Sequence, residues 1–174
     1  MKRTVTGMLL AAAWMLAGAV APARAIDLYG FASYWGNGDL EGKGGFGLGV
    51  GMPLISEHLI LDGRMYFLDK SSLAHDDEVT MVPFDLGLQL HLMPRSDLDP
   101  YGLAGVSFIY ADADRSDVDS SFGAYLGAGL EWAPISFLRL FGEGVYRFQK
   151  LDGSRGSDID VGGLSGNVGI RIYF

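Results

Sequence analysis

Three histidines, acidic serine-containing stretches and a set of charged residues at every second position are what this sequence offers to chemistry. His75 lies in SSLAHDDE, residues 71–78, where a serine, an imidazole and carboxylates supply the ingredients of a hydrolase triad. A triad needs its nucleophile held on a rigid element beside the base. This stretch has turn composition and no periodicity, so the plainer reading is a solvated loop. His75 with Asp76, Asp77 and Glu78, or Asp112, Asp114, Asp117 and Asp119 in DADRSDVDSS, offers oxygen ligands to a divalent cation. Neither spacing matches a full calcium-binding loop, which makes weak bridging of cations the expectation rather than a dedicated metal centre. GKGGFG, residues 42–47, fits the dinucleotide fingerprint G-x-G-x-x-G, but that motif needs a helix behind it to receive the pyrophosphate. A period-2 pattern follows instead, and the match is false; no cofactor is expected.

The elements that would position these residues are strands. Pro53, Pro94 and Pro134 stand 41 and 40 residues apart, and another 40 residues reach Phe174. One such period holds about two strands and two connections. The acidic stretches 36–43, 69–78, 112–121 and 151–162 read as loops. Between them remain eight runs: 26–35, 44–52, 58–68, 79–92, 100–111, 122–133, 137–150 and 163–174. Most approach the about 9–11 residues with which a tilted strand crosses a bilayer.

Alternation within the runs separates two faces. Val82, Phe84, Leu86, Leu88, Leu90 and Leu92 oppose Asp85, Gly87, Gln89 and His91; Leu138, Leu140, Tyr146 and Phe148 oppose Arg139, Glu143, Arg147 and Gln149. In 44–52 one face is all glycine, Gly45 to Gly51, which would leave room for Tyr29, Phe31, Arg64 and Tyr66. A soluble sandwich turns apolar faces inward, and a membrane barrel turns them outward. Rings at the strand ends favour the barrel: Phe46, Phe67, Tyr110, Phe122 and Phe148 lie beside the acidic loops, and Trp132 and Phe174 lie at the opposite ends, as aromatic girdles do. Short Pro-bearing turns alternate with longer polar loops, the asymmetry of outer-membrane barrels, and His58 and His91 fall near the short-turn end. Only a closed barrel leaves no strand edge unpaired in lipid. The fold expected is all-β, an eight-stranded antiparallel up-and-down transmembrane β-barrel over residues 26–174.

Its interior would hold Asp62, Arg64, Asp85, Glu131, Arg139, Glu143, Arg147 and Arg171. Mixed signs allow either a conduction path or an ion-paired plug. Eight strands enclose a bore that side chains just fill, which favours the plug.

The chain opens with Lys2 and Arg3, runs apolar from Met8 to Ala21 and reaches Ala23-Arg24-Ala25, the pattern of a cleaved secretory signal over residues 1–25. Past it, 10 Lys plus Arg stand against 21 Asp plus Glu, a formal charge of −11. Nucleic acid, which needs basic patches, is not an expected partner. The chain has no cysteine, so it folds without disulfides.

The alternating glycine-rich strands, PYGLAGVSF (100–108), GAYLGAGLEW (123–132) and an ending of Phe174 preceded by Ile172, Ile170 and Val168 resemble the small eight-stranded outer-membrane β-barrel family, whose familiar members are the barrel domain of outer membrane protein A and outer membrane protein X. The resemblance implies a bacterial outer membrane and a monomer in contact with outer-membrane lipids and lipopolysaccharide. It also implies that Phe174, Ile172, Ile170 and Val168 form the signal read by the barrel-assembly machinery. The function expected is structural or surface-interacting and not enzymatic. A narrow solute pore and a lipid A-modifying barrel enzyme are the alternatives, because some small barrels of this kind act on lipid A.

Overall fold

A computed structural model describes residues 26–37, 43–68, 71–72, 78–113, 121–151, 159–160 and 162–174. The expected signal segment, His75, Asp114, Asp117 and Asp119 lie outside them. Among the described residues, eight long strands and three short ones follow in the order β1 (Asp27–Asn37), β2 (Lys43–Pro53), β3 (Leu59–Leu68), β4 (Ser71–Ser72), β5 (Glu78–His91), β6 (Leu98–Ala113), β7 (Ser121–Ile135), β8 (Leu138–Phe148), β9 (Lys150–Leu151), β10 (Ile159–Asp160) and β11 (Gly163–Tyr173). Each long strand pairs antiparallel with its neighbours in the chain, β3 pairs with β5, and β1 pairs with β11 from Asp27↔Tyr173 to Asn37↔Gly163. The sheet therefore closes into an eight-stranded barrel, the only all-strand solution that satisfies every backbone amide without a free edge.

Two-residue alternation decides which way each side chain faces. Along β5, Pro83, Asp85, Gly87, Gln89 and His91 are buried, while Phe84, Leu86, Leu88 and Leu90 are exposed. Along β8, Phe141, Glu143, Val145 and Arg147 point in, and Leu140, Tyr146 and Phe148 point out. Charged residues are thus inside and leucines outside, an inverted pattern that is stable only in lipid. The outer face ends in rings in contact: across strands, Phe46 with Phe67 at 5.1 Å and Phe108 with Phe122 at 4.8 Å, and along β8, Tyr146 with Phe148 at 4.9 Å between centres. Trp132 and Phe174 stand exposed toward the other end.

Two apolar clusters fill the bore between the charges: Tyr29, Phe31, Trp35, Tyr66 and Phe141 form one, and Tyr101, Leu103, Tyr125 and Val145 the other. The glycine face of β2 makes room for the first. A Cβ at Gly47 would meet the Phe31 ring, one at Gly49 the Tyr29 ring, and one at Gly51 the Asp27 carboxylate.

The strands overrun all four expected loops; β1 reaches Asn37 and β2 starts at Lys43, inside the stretch 36–43. Asp112 lies on β6, opposite Thr80, and belongs to a strand end rather than a loop. Glu78 pairs with Ser72 and Asp160 with Lys150, so the stretches 69–78 and 151–162 carry short antiparallel ladders. At the other end β6 begins at Leu98, which brings Asp99 inside.

Gly49→Ala is expected to destabilise the barrel by about 1–3 kcal/mol, because the new methyl overpacks Tyr29. Gly30→Ala, whose methyl would meet Leu48 at 3.6 Å on the outer face, is expected within about 0.5 kcal/mol of the parent. Urea unfolding in micelles measures both, and equal losses would contradict the inward packing of Tyr29.

Candidate functional site

The inward face of the barrel is the candidate site, and three arginines divide it into levels. Antiparallel register brings residues distant in sequence to one height: Asp85 faces Arg64 across β3 and β5, Glu143 faces Asn167 across β8 and β11, and Asp99 faces Glu131 across β6 and β7.

The middle level centres on Arg64. Its Nε donates to Asp62 Oδ2 at 2.5 Å, and both terminal nitrogens reach the Glu143 carboxylate. Glu143 also accepts from the Tyr101 hydroxyl at 2.7 Å and from Asn167 Nδ2 at 2.8 Å. The Tyr29 hydroxyl donates to Asp62, and Ser33 donates to Asn167 Oδ1 at 2.6 Å. Toward the loop end, Arg147 donates to Asp85 Oδ2 and to the Tyr66 hydroxyl, each at 2.7 Å, and to Ser165 at 2.5 Å. Its guanidinium carbon lies 4.2 Å from the centre of the Trp35 ring. At the turn end, Arg171 contacts Glu131 Oε1 at 3.1 Å, Gln89 Oε1 at 3.0 Å and Asp27 Oδ1 at 3.5 Å, while the Tyr29 ring centre lies 4.6 Å away. Arg139 sits beside this level, with Nη1 at 3.4 Å from both Asp99 and Glu131 and Nη2 donating to the Pro94 carbonyl at 2.5 Å.

Removing these ions from water costs several kcal/mol each, which only close pairing and extra hydrogen bonds recover. Glu143 receives a bidentate arginine, a hydroxyl and an amide, and is accordingly held in one rotamer. The chemistry of this arrangement is fixation: Arg64, Arg147 and Arg171 are each tied to carboxylates on other strands, while a few interior atoms such as Glu131 Oε1 and Gln89 Nε2 make no hydrogen bond.

All eight charged residues assigned to the interior from the sequence point inward, and ion pairs join them. Sequence reasoning missed Asp27 and Asp99, both fully buried. Asp27 opens its strand, and Asp99 lies in SDLDP, whose composition resembles a turn; the signal that could find each is its two-residue spacing from Tyr29 and Tyr101. Phe141 and Val145 also share the phase of Arg139 and Glu143 and were legible by the same step of two. Phe174, Ile172, Ile170 and Val168 lie outward on and after β11, all exposed. Of the acidic set 112–119, Asp112 has its backbone on β6, and the other three carboxylates are outside the described residues.

At the turn end the bore widens into an open cavity of about 700 Å³, lined among others by Glu57, His58, His91, Arg95, Asp99 and Arg139. Arg95 bridges to Glu57 at 3.0 Å across two turns, and this hydrogen bond with its charge holds the Glu57 carboxyl below its ordinary value.

A closed eight-stranded barrel with leucines outside and paired ions inside is a small outer-membrane barrel. Residues 6–171 match the outer membrane protein beta-barrel domain family, and the chain belongs to it; membership implies the bacterial outer membrane. Neisserial surface protein A is similar at 16% identity and a TM-score of 0.65 over 86% of this chain and 96% of that one. The N-terminal barrel domain of OprF from Pseudomonas aeruginosa gives 14% and 0.61 over 87% and 98%. Ail, the attachment invasion locus protein of Yersinia pestis, crystallised with the heparin analogue sucrose octasulfate, gives 16% and 0.57 over 86% and 97%. At these identities the likeness is one of fold. No curated protein matches the chain.

Arg64→Met should cost about 3–5 kcal/mol, because it strands Asp62 and Glu143 as buried unpaired carboxylates. Unfolding in urea at neutral pH measures the loss. A change below about 1 kcal/mol would show that water already screens the middle level.

Proposed function

We propose that the chain, after removal of a signal over residues 1–25, is a monomeric outer-membrane protein with a structural or surface-interaction role, and neither a conduit nor an enzyme. The observation that carries this reading is the filled bore: Arg64, Arg147 and Arg171 are each at most 4% exposed and each is locked to carboxylates from other strands. A path for solutes would require breaking several such pairs at once. In planar bilayers the purified barrel is expected to give no sustained conductance steps. Regular long-lived openings would replace this reading with the narrow pore.

The interaction surface is the loop end. In sequence it carries Asp39, Glu41, Asp69, Asp76, Asp77, Glu78, Asp112, Asp114, Asp117, Asp119, Asp152, Asp158 and Asp160 against Lys43, Lys70, Arg115 and Arg155. Such a field attracts cations and basic surfaces and repels polyanions, with a reach of about 10 Å at 0.1 M salt. A ligand like the octasulfate held by Ail is therefore the wrong charge for this barrel. Its partners are basic surfaces, and lipopolysaccharide reached through divalent cations that bridge loop carboxylates to phosphate. During biogenesis the barrel-assembly machinery reads Phe174 with Ile172, Ile170 and Val168, a reading supported by their exposure on the lipid side.

Millimolar calcium is expected to raise the melting temperature of the native barrel in lipopolysaccharide. A variant with Asp112, Asp114, Asp117 and Asp119 changed to Asn should lose most of that rise. Identical responses would make these residues solvated loop groups and remove the support for bridging.

A further inference from the structure

His91, Asp99 and Glu131 come from β5, β6 and β7, are each at most 2% exposed, and bring one ligand atom apiece to within 4.8 Å of one another. Hydrogen bonding settles how His91 is presented. Gln89 Oε1 accepts from Arg171 Nη1 at 3.0 Å, which turns the amide oxygen toward the ring. His91 Nε2 lies 3.1 Å from the same oxygen and must be the nitrogen that donates. Nδ1 faces Asp99 Oδ2 at 2.8 Å, a contact between two acceptors that needs a proton or a metal cation between them. The Tyr101 ring, stacked at 5.0 Å and 14°, holds the imidazole in that plane, and the Met93 amide donates to Asp99 Oδ1 at 2.8 Å. A histidine whose second nitrogen donates to a fixed carbonyl, beside a carboxylate fixed by its other oxygen, is the outer-shell arrangement of metal ligands. Glu131 Oε1 adds a buried oxygen that has no hydrogen bond and lies 3.1 Å from the charged Arg171 Nη1.

Charge points the same way. This level holds Asp27, Asp99 and Glu131 against Arg139 and Arg171, so one further positive charge, a proton on His91 or a metal ion in its place, balances it. Arg139 is its loosest member: its contacts to Asp99 and Glu131 are both 3.4 Å, its side chain is 14% exposed, and it faces the open cavity. Replacing Arg139 at that position by a divalent ion brings the level to neutrality.

We propose that His91 Nδ1, Asp99 Oδ2 and Glu131 bind one divalent transition-metal ion of the zinc class, admitted through the turn-end cavity, with Arg139 as the tethered cation that the ion displaces. One nitrogen and two oxygens with a fourth position open to the cavity suit zinc and its neighbours rather than calcium or magnesium, which take oxygen alone.

The test is calorimetric titration of zinc chloride into the chelator-treated full barrel in micelles at fixed pH, with folding of every variant checked by the heat-modifiable gel shift. The native chain is expected to take up one ion that His58→Asn and His75→Asn still bind equally well. His91→Asn should weaken binding by at least about tenfold. Arg139→Gln should tighten it by roughly tenfold, as the internal competitor is gone. Absence of zinc uptake, with only a proton gained at His91, overturns the proposal, as does equal affinity in His91→Asn or a loss confined to the His58 or His75 variant. Where His91→Asn fails to fold, Arg139→Gln decides: zinc affinity unchanged or weakened overturns the site.

Discussion

A peptide group in hydrocarbon has no water to bond, and that constraint underlies every other feature of this molecule. It forces the strands to close, β1 onto β11 as well as β3 onto β5, and closure sorts side chains into two populations with no middle ground. The outer population must be apolar and the inner one inherits everything else. With eight strands the bore is narrow enough that the inner side chains touch from wall to wall. Whatever charge the sequence places there has to be paired within the same few ångströms.

The pairing is also what makes the register specific. A slip by one residue would turn Arg64, Glu143 and Arg147 toward lipid and their leucine neighbours inward. Each arginine reaches partners on other strands: Arg64 joins β3 to β8, Arg147 joins β8 to β5, and Arg171 joins β11 to β7 and β1. Backbone pairing alone would allow alternative registers, and the interior ions distinguish among them. The aromatic faces of Tyr29, Trp35 and Tyr66 lie against the same guanidinium groups, so the apolar clusters and the ionic levels are one packed structure.

Alternation made the strands and the inward phase of the charged residues legible, because a lipid-facing leucine and an interior arginine differ as much as two side chains can. The glycine face of β2 was legible too, since a row without side chains implies bulk opposite, here Tyr29 and Phe31. The strand ends were not. Asp99 and Asp112 sit where ladder bonds continue past the point at which composition turns polar, and composition carries no record of backbone pairing. Nor could spacing disclose that Gln89, His91, Asp99 and Glu131 meet, because that depends on the stagger of three strands around the cylinder. Alternation equally gave no reason to group Phe141 with Arg171, which it shields at 5.7 Å.

The central claim is that interior ion pairs, not water, fill the bore. A double-mutant cycle on Arg64→Met and Glu143→Gln, read by urea unfolding in micelles, tests it most directly. Each single variant leaves a buried group without its partner, and the double variant removes both. A coupling of about 1–3 kcal/mol between the two positions is predicted; strictly additive losses would mean that the two charges are separately solvated and the bore is wet.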